Sequence, residues 1–435
     1  MKARGLAKPR RFKRTAATMS AMDSKPRAQR RHVVVLGGGI QGASAAYFLS
    51  KRDAKVTVVE LESVGSAASG KAGGFLAGEW GSGPTTALHK ESFRMHKELA
   101  SELELETFRE IRTLSVASGS KGQKKGLEQT MWLDGNISQA RLMDDKTAQV
   151  TPLEITTKLM EAAKGRGAEV VIGRATGVEF RDVVEGKGDE EGGRRAEGVV
   201  VRLPGGDETT IGCTDVLVAA GVWSSLMAPY FGLPEDAWPI TGIKSTHVIW
   251  KNESGSGRDA IRDDPAALFC AEEPNGTHLE LYPRSNGDLY ACGIGGSDYV
   301  EDRTRLAEGG DCETPSRVKA DVSRVKAAQK SAGILSSLLA AEPEHVGACI
   351  RPCPPDGLPY MGLISTSENC YISAGHNCWG ILWGPVSGKL MSELIMDGAA
   401  VTADISSFSP SRFLPKARRG GKGRKVVDVD VGEQW

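Results

Sequence analysis

Four residues near the start of the chain have the types and spacing to hold a dinucleotide. Gly37, Gly39 and Gly42 fall in the run Gly37-Gly38-Gly39-Ile40-Gln41-Gly42, which fits G-x-G-x-x-G. Gly37 permits a sharp turn, Gly39 leaves room for a pyrophosphate, and Gly42 lets a helix approach a strand. Glu60 follows 18 residues after Gly42, where a carboxylate can accept hydrogen bonds from a ribose. Further on, Ser66, Ser69 and Lys71 sit in the small-residue run 61–78 and have donors to offer phosphates. Gly221 ends a second apolar run, and a third glycine group, Gly375 and Gly380, comes late in the chain.

This chemistry needs elements that bring the glycines to one edge. Residues 33–36 are continuously apolar, as in a strand buried on both faces. Residues 43–50 are small and apolar enough to pack a helix closely on that strand, and 55–60 reads as a second strand. The free N–H groups and the positive end of the helix dipole then face the phosphates. Residues 215–220 repeat the buried-strand pattern and end in Gly221-Val222-Trp223. Ligands of open α/β sheets gather at such carboxyl ends. Residues 384–396 read as a helix whose N-terminus aims its dipole at the late glycines.

Between these stations the pattern changes. Residues 88–105 read as an amphipathic helix, and 119–126 as a loop. Residues 151–166 read as a helix with Thr151 at the N-cap and Pro152 in its first turn. Residues 168–172, 175–180, 198–203 and 208–211 are strand-like, with 186–192 as a polar hairpin tip. Residues 243–250, 268–271, 277–283 and 288–293 suggest an antiparallel sheet joined by turn signals, followed by a helix at 317–339.

Composition bounds the function. The chain has 435 residues, more than one ordinary core accommodates, so two associated domains are expected. The formal net charge is zero, which gives no electrostatic case for nucleic-acid binding by the body of the protein. No apolar run reaches the roughly 18 residues of a membrane-spanning helix. Eight cysteines without zinc-type spacing point to reduced thiols and an intracellular setting, with no metal. Residues 1–31 carry eleven Lys and Arg against one acid, Asp23. This fits a mitochondrial or plastid transit peptide, or a disordered tail on a cytoplasmic protein. The basic, glycine-rich stretch within 414–435 reads as a second disordered tail.

Four motifs, in order, resemble the D-amino-acid-oxidase-like family of FAD-dependent oxidoreductases, which includes glycine and sarcosine oxidases. They are VVVLGGGIQGASAAYFL, GSAASGKAGGFLAG, DVLVAAGVWS, and RPCPPDGLPYMG followed by YISAGHNCWGILWGPVSGKLMSELI. The resemblance implies a Rossmann-like FAD-binding domain, of class α/β, at 32–85, 150–225 and 345–413. An inserted α+β substrate domain with an antiparallel sheet would occupy 86–149 and 226–344. It places Gly37, Gly39, Ile40, Gln41 and Gly42 at the FAD pyrophosphate and Glu60 at the ribose. Ser69, Lys71, Gly73 and Gly74 would line the phosphates and flavin, and the Val178 backbone would meet adenine. Ala220, Gly221 and Trp223 would lie near the cofactor's middle, and Gly375, His376, Gly380 and Ile381 beside the flavin ring. Arg351 matches an arginine that forks the substrate carboxylate.

The implied activity is oxidation of a small amino acid or secondary amine by hydride transfer to FAD, with O2 or another acceptor taking the electrons. His247, His278 and His376 are the histidines available as bases. Cys349 lies near the position of a flavin-linked cysteine in sarcosine-oxidase relatives, but its surrounding motif differs, so non-covalent FAD is expected. Residues 289–295 contain no lysine of the kind sarcosine oxidases use to activate oxygen. Two other readings stay open. One is a flavin-binding protein with an interaction or trafficking role; the other is an oxidase of hydroxy acids or polyols.

Overall fold

The computed structural model describes residues 30–119, 128, 130–183 and 193–415. Most of both basic tails, most of the loop at 119–126 and the hairpin tip at 186–192 lie outside them. The apolar runs at 33–36 and 55–60 form the strands His32–Leu36 and Lys55–Glu60 at the middle of a six-stranded sheet. Its order is Tyr360–Leu363, Cys370–Ala374, Asp215–Val218, His32–Leu36, Lys55–Glu60, Glu169–Ile172. All neighbours are parallel except Tyr360–Leu363, which runs against Cys370–Ala374. Strands far apart in sequence thus end side by side, with their carboxyl ends on one edge.

Three helices cover one face of this sheet. Ile40–Ser50 is buried almost all round, as its small apolar residues require. It lies between Pro152–Lys164 and Gly380–Asp397. A side chain at Gly388 would come within 2.4 Å of the Ser44 carbonyl carbon, so the two backbones nearly touch there. The late helix begins at Gly380, ahead of the expected 384. Thr151 takes the N-cap position and Pro152 the first turn, but the Thr151 side chain makes no capping bond.

A second sheet of nine strands stands apart from the first. It runs Asp298–Val300, Thr241–Trp250, Leu289–Cys292, Glu280–Pro283, Ala266–Cys270, Arg109–Ser118, Ile137–Gln149, Phe75–Ala77. His345–Cys353, which sequence alone assigns to the cofactor domain, pairs along Thr241–Trp250. The sheet is antiparallel save one pair: Ala266–Cys270 runs parallel to Arg109–Ser118, since a long crossover separates them. Neither Arg109–Ser118 nor Ile137–Gln149 is legible as a strand from sequence. The second mixes charged and apolar residues without period, and both pass a register shift. A smaller antiparallel sheet joins Arg174–Asp182, Arg194–Arg202 and Glu208–Gly212.

The nine-stranded sheet has two unlike faces. Val248, Trp250, Leu268, Leu281, Leu289 and Ala291 form a core with Ala328, Ala332 and Leu335 of the helix Val322–Leu335. That helix is shorter than the expected 317–339 because Asp321 caps it, accepting from the Ser323 and Arg324 N–H groups. The alternate residues, including Ser245, His247, Glu280, Tyr282, Tyr290, Cys292 and Arg351, face a cavity. The segment 61–78 crosses between the sheets. It contains the one-turn helix Ala68–Lys71 and the short strand Phe75–Ala77, neither of which its composition announced.

Candidate active site

At the carboxyl edge of the parallel sheet the glycine turn is built from the backbone. Gly37 has φ +112°, and any Cβ there would lie 2.5 Å from the Ala219 carbonyl oxygen. A Cβ on Gly42 would lie 1.9 Å from the Gly37 oxygen, so Gly42 closes the turn from behind. The helix Ile40–Ser50 starts from Gly39, and the Ile40 N–H donates to Ser69 Oγ at 2.9 Å. Ser69 therefore marks the helix N-terminus, where an anion is favoured. Glu60 is held by two backbone donors: Gly38 N–H to Oε2 at 2.6 Å and Glu62 N–H to Oε1 at 3.1 Å. Burial pushes its carboxyl up, against the pull of those N–H groups. Both oxygens keep lone pairs for further donors.

The opposite end is framed by the late glycines. Gly375 has φ +76° and leads through a single 3-10 turn, Asn377–Trp379, into the helix Gly380–Asp397. Gln41 reaches across to donate from Nε2 to the Gly380 carbonyl at 3.0 Å, and its buried Oε1 has no protein partner. His96 Nε2 lies 3.1 Å from the Ile381 and Leu382 carbonyls and so carries its proton there. His376 Nε2 lies 3.1 Å from Ser387 Oγ, and burial pushes its imidazole down to about 3. The neutral ring is thus tied to a hydroxyl of that helix while it lines the cavity.

The wall facing these glycines is the second sheet. Arg351 stands opposite Ile243 in register, on the strand His345–Cys353. Its Nη2 lies 3.5 Å from Ser245 Oγ, and its Nε is buried with no partner. Among the described residues it makes no ion pair. Burial opposes its charge, while the nearby Glu280 carboxylate favours it without pairing with it. Burial raises the thiols of Cys292, Cys349 and Cys353, the last to about 12. Cys378, raised to about 11, is exposed and lines the cavity. Tyr282, Phe75 and Phe269 form an aromatic corner, the first two stacked at 5.3 Å and 11°.

One cavity of about 990 Å³ joins all three parts. That is the upper end of the roughly 300–1,000 Å³ usual for a small-molecule site. Of the residues singled out from sequence, Gly37, Gly39, Ile40, Gln41, Glu60, Ser69, Gly73, Gly74, Ala220, Gly221, Trp223, Arg351, Gly375, His376, Gly380 and Ile381 line it. Gly42, Ser66, Lys71 and Val178 do not. The Lys71 Nζ donates to the carbonyl of Pro315, itself a lining residue, at 2.9 Å. Val178 sits farther along Arg174–Asp182, and Gly173, Arg174 and Ala175 reach the cavity instead. Of the other two histidines considered, His247 and His278 both line it. Burial and the nearby His345 push His247 down to about 3, so it too is neutral.

Sequence reasoning missed Ser245, Glu280, Tyr282 and Cys292. Their signal is the period-two alternation of three neighbouring strands, readable only once pairing shows which face is covered by a helix.

The residues present fit an extended FAD. A helix N-terminus with a serine acceptor, a ribose-type carboxylate, an open backbone at Gly221 and an orphaned Gln41 amide oxygen all line the one cavity. Comparisons with known proteins agree with this. The family described as DAO, FAD dependent oxidoreductase, matches residues 32–394. Protein C1F5.03c of Schizosaccharomyces pombe, whose name proposes an oxidoreductase and gives no substrate, is 28% identical over 405 residues, 88% of this chain and 99% of its own. Glycine oxidase of Bacillus subtilis is 25% identical over 400 residues, 85% of this chain and 94% of its own. Among solved structures, glycine oxidase from Geobacillus kaustophilus superposes with a TM-score of 0.66 at 21% identity, covering 88% of this chain and 100% of that one. L-amino acid deaminase from Proteus myxofaciens gives 0.67 at 15% identity, covering 88% and 94%. Among the described residues, no helix is long and apolar enough to cross a membrane.

Proposed function

The chain belongs to the DAO family of FAD-dependent oxidoreductases, and within it we propose that this protein oxidises a small amino acid or N-alkylated amine bearing a carboxylate. The observation that supports this is Arg351. A buried guanidinium with no carboxylate partner is costly unless an anion completes it. Arg351 lines the same cavity as the late glycines, so a carboxylate anchored there would bring its α-carbon toward the flavin end.

FAD, when bound, supplies the two-electron acceptor. The chain does the rest. Arg351 orients the carboxylate, the aromatic corner of Phe75, Phe269 and Tyr282 excludes water, and the N-terminus of Gly380–Asp397 offers positive potential to the flavin edge. The raised Cys349 thiol is a poor nucleophile, which favours non-covalent FAD. In this reading the parallel sheet serves the cofactor and the nine-stranded sheet the substrate. Electrons leave to O2 or to a second acceptor.

The test is anaerobic addition of glycine, sarcosine and D- and L-amino acids to the FAD-loaded protein. At least one should bleach the flavin band at about 450 nm. If none does, the substrate class is wrong. Acid precipitation should release the flavin into the supernatant; yellow colour retained in the pellet contradicts non-covalent binding.

A further inference from the structure

Three acidic side chains line the cavity among the described residues: Glu60, Glu272 and Glu280. Glu60 belongs to the glycine turn, and Glu272 is exposed on a loop. Glu280 is different. It starts the strand Glu280–Pro283, opposite Cys292, on the sheet face that also carries Arg351.

Its two protein donors converge on one oxygen. Tyr282 O–H donates to Oε2 in a short hydrogen bond, and Cys292 Sγ lies 3.5 Å from the same atom. Burial pushes both the Tyr282 hydroxyl and the Cys292 thiol well up, so each keeps its proton and acts as a donor. Among the described residues no donor meets Oε1. The carboxylate is thereby fixed through one oxygen and left with the other for the cavity. It is close enough to influence the Arg351 charge, yet the two form no ion pair. The wall thus presents one fixed cation and one fixed anion, separated by a gap.

We propose that Glu280 binds the amino group of the substrate, so that Arg351 and Glu280 together select a zwitterion over a hydroxy acid or a plain carboxylate. The proposal rests on the reading of Arg351 as a carboxylate site and adds the second half of the recognition. The aromatic corner strengthens it: Phe269 lies opposite Glu280 in register and Tyr282 stands beside it, lowering the local dielectric. A neutral hydroxyl in place of the ammonium could still donate to the carboxylate but loses the attraction between opposite charges, which a low local dielectric strengthens.

The experiment uses FAD-loaded wild type and Glu280→Gln, with two ligands of equal shape that have no α-hydrogen and cannot reduce the flavin. 2-Aminoisobutyrate carries the ammonium; pivalate has a methyl group in its place. Binding is read from the perturbed flavin absorbance. Wild type should bind 2-aminoisobutyrate about 10–100-fold more tightly than pivalate, the range for a hydrogen bond to a charged group. Glu280→Gln, which can still accept from Tyr282, should lose that ratio, with 2-aminoisobutyrate binding more weakly and pivalate no more weakly than in wild type. Equal affinities in wild type, or a ratio that survives in Glu280→Gln, overturn the role of Glu280 and leave Arg351 standing. If neither ligand binds and Arg351→Met changes nothing, the carboxylate site fails and the proposal falls with it.

Discussion

The two sides of the cavity recognise by different means. The glycine side is a backbone surface: Gly37, Gly38 and Ile40 use their N–H groups toward Val59, Glu60 and Ser69, and the side chains that matter there are mostly absent ones. The sheet wall is a side-chain surface, with Arg351 drawn from one strand and Glu280 and Tyr282 from another far from it in sequence. Backbone recognition depends on shape and fails when atoms are added. Side-chain recognition depends on charge and fails when atoms are removed. The two sides should therefore break differently.

Gly42→Ala should have the largest effect. Its methyl would sit 1.9 Å from the Gly37 carbonyl oxygen, a backbone atom that cannot swing aside. We expect destabilisation of about 3 kcal/mol, at the upper end of overpacking, with no FAD retained on purification. A normally yellow Gly42→Ala protein would show that the turn yields. Arg351→Met should break the other side without touching the first. FAD should stay bound while kcat/KM for the substrate falls about 100-fold, roughly 2.7 kcal/mol, within the cost of truncating a buried charge pair. The ligand-free variant should melt no lower than wild type, because an uncompensated buried cation is removed. A drop of several degrees would mean that Arg351 holds the fold rather than the ligand.

This difference also explains what sequence revealed. The turn at 37–42 is consecutive, and its physical demands fall on residue types that announce themselves. Glu280 is hidden for the opposite reason. An acid at an alternate strand position normally faces solvent, and only the pairing with Cys292 and Phe269 turns that face into a cavity wall. Arg351 became visible through family resemblance, not through spacing. The partner of Lys71 is hidden too: the Pro315 carbonyl, which takes its ammonium, comes from a segment 244 positions away. Which part of the strand holding Val178 reaches the cavity is equally hidden: its edge does so at Gly173, Arg174 and Ala175.

Acid should sharpen the comparison at an intermediate scale. His96 and His376 support the helix behind the late glycines and are held down to about 4 and about 3; His247, in the wall, is held to about 3. All three are buried neutral and have folded values below the unfolded 6.5. Their stabilisation is complete above pH 6.5 and drains away as pH falls toward the folded values. Each contributes a slope of up to about 1.4 kcal/mol per pH unit. His376→Asn and His247→Asn should each flatten the fall in urea midpoint between pH 6.5 and 4 by one proton. Only the first should also loosen FAD, because His376 braces the helix that meets the glycines and His247 stands in the opposite wall.

The smallest effect separates capping from ligand binding within the glycine side itself. Ser69 Oγ accepts from the Ile40 N–H in the ligand-free protein, doing at the helix start what an N-cap hydroxyl does. Ser69→Ala should then cost about 1 kcal/mol of stability. If the pyrophosphate reaches the same N–H groups, FAD restores part of that loss, and the stability gap between wild type and variant should narrow on saturation with FAD. If Ser69 instead donates its own hydroxyl to a phosphate oxygen, the gap should widen on saturation, because the variant then lacks a contact in the holo protein as well. Melting both proteins with and without excess FAD decides between a serine that stands in for the phosphate and one that holds it.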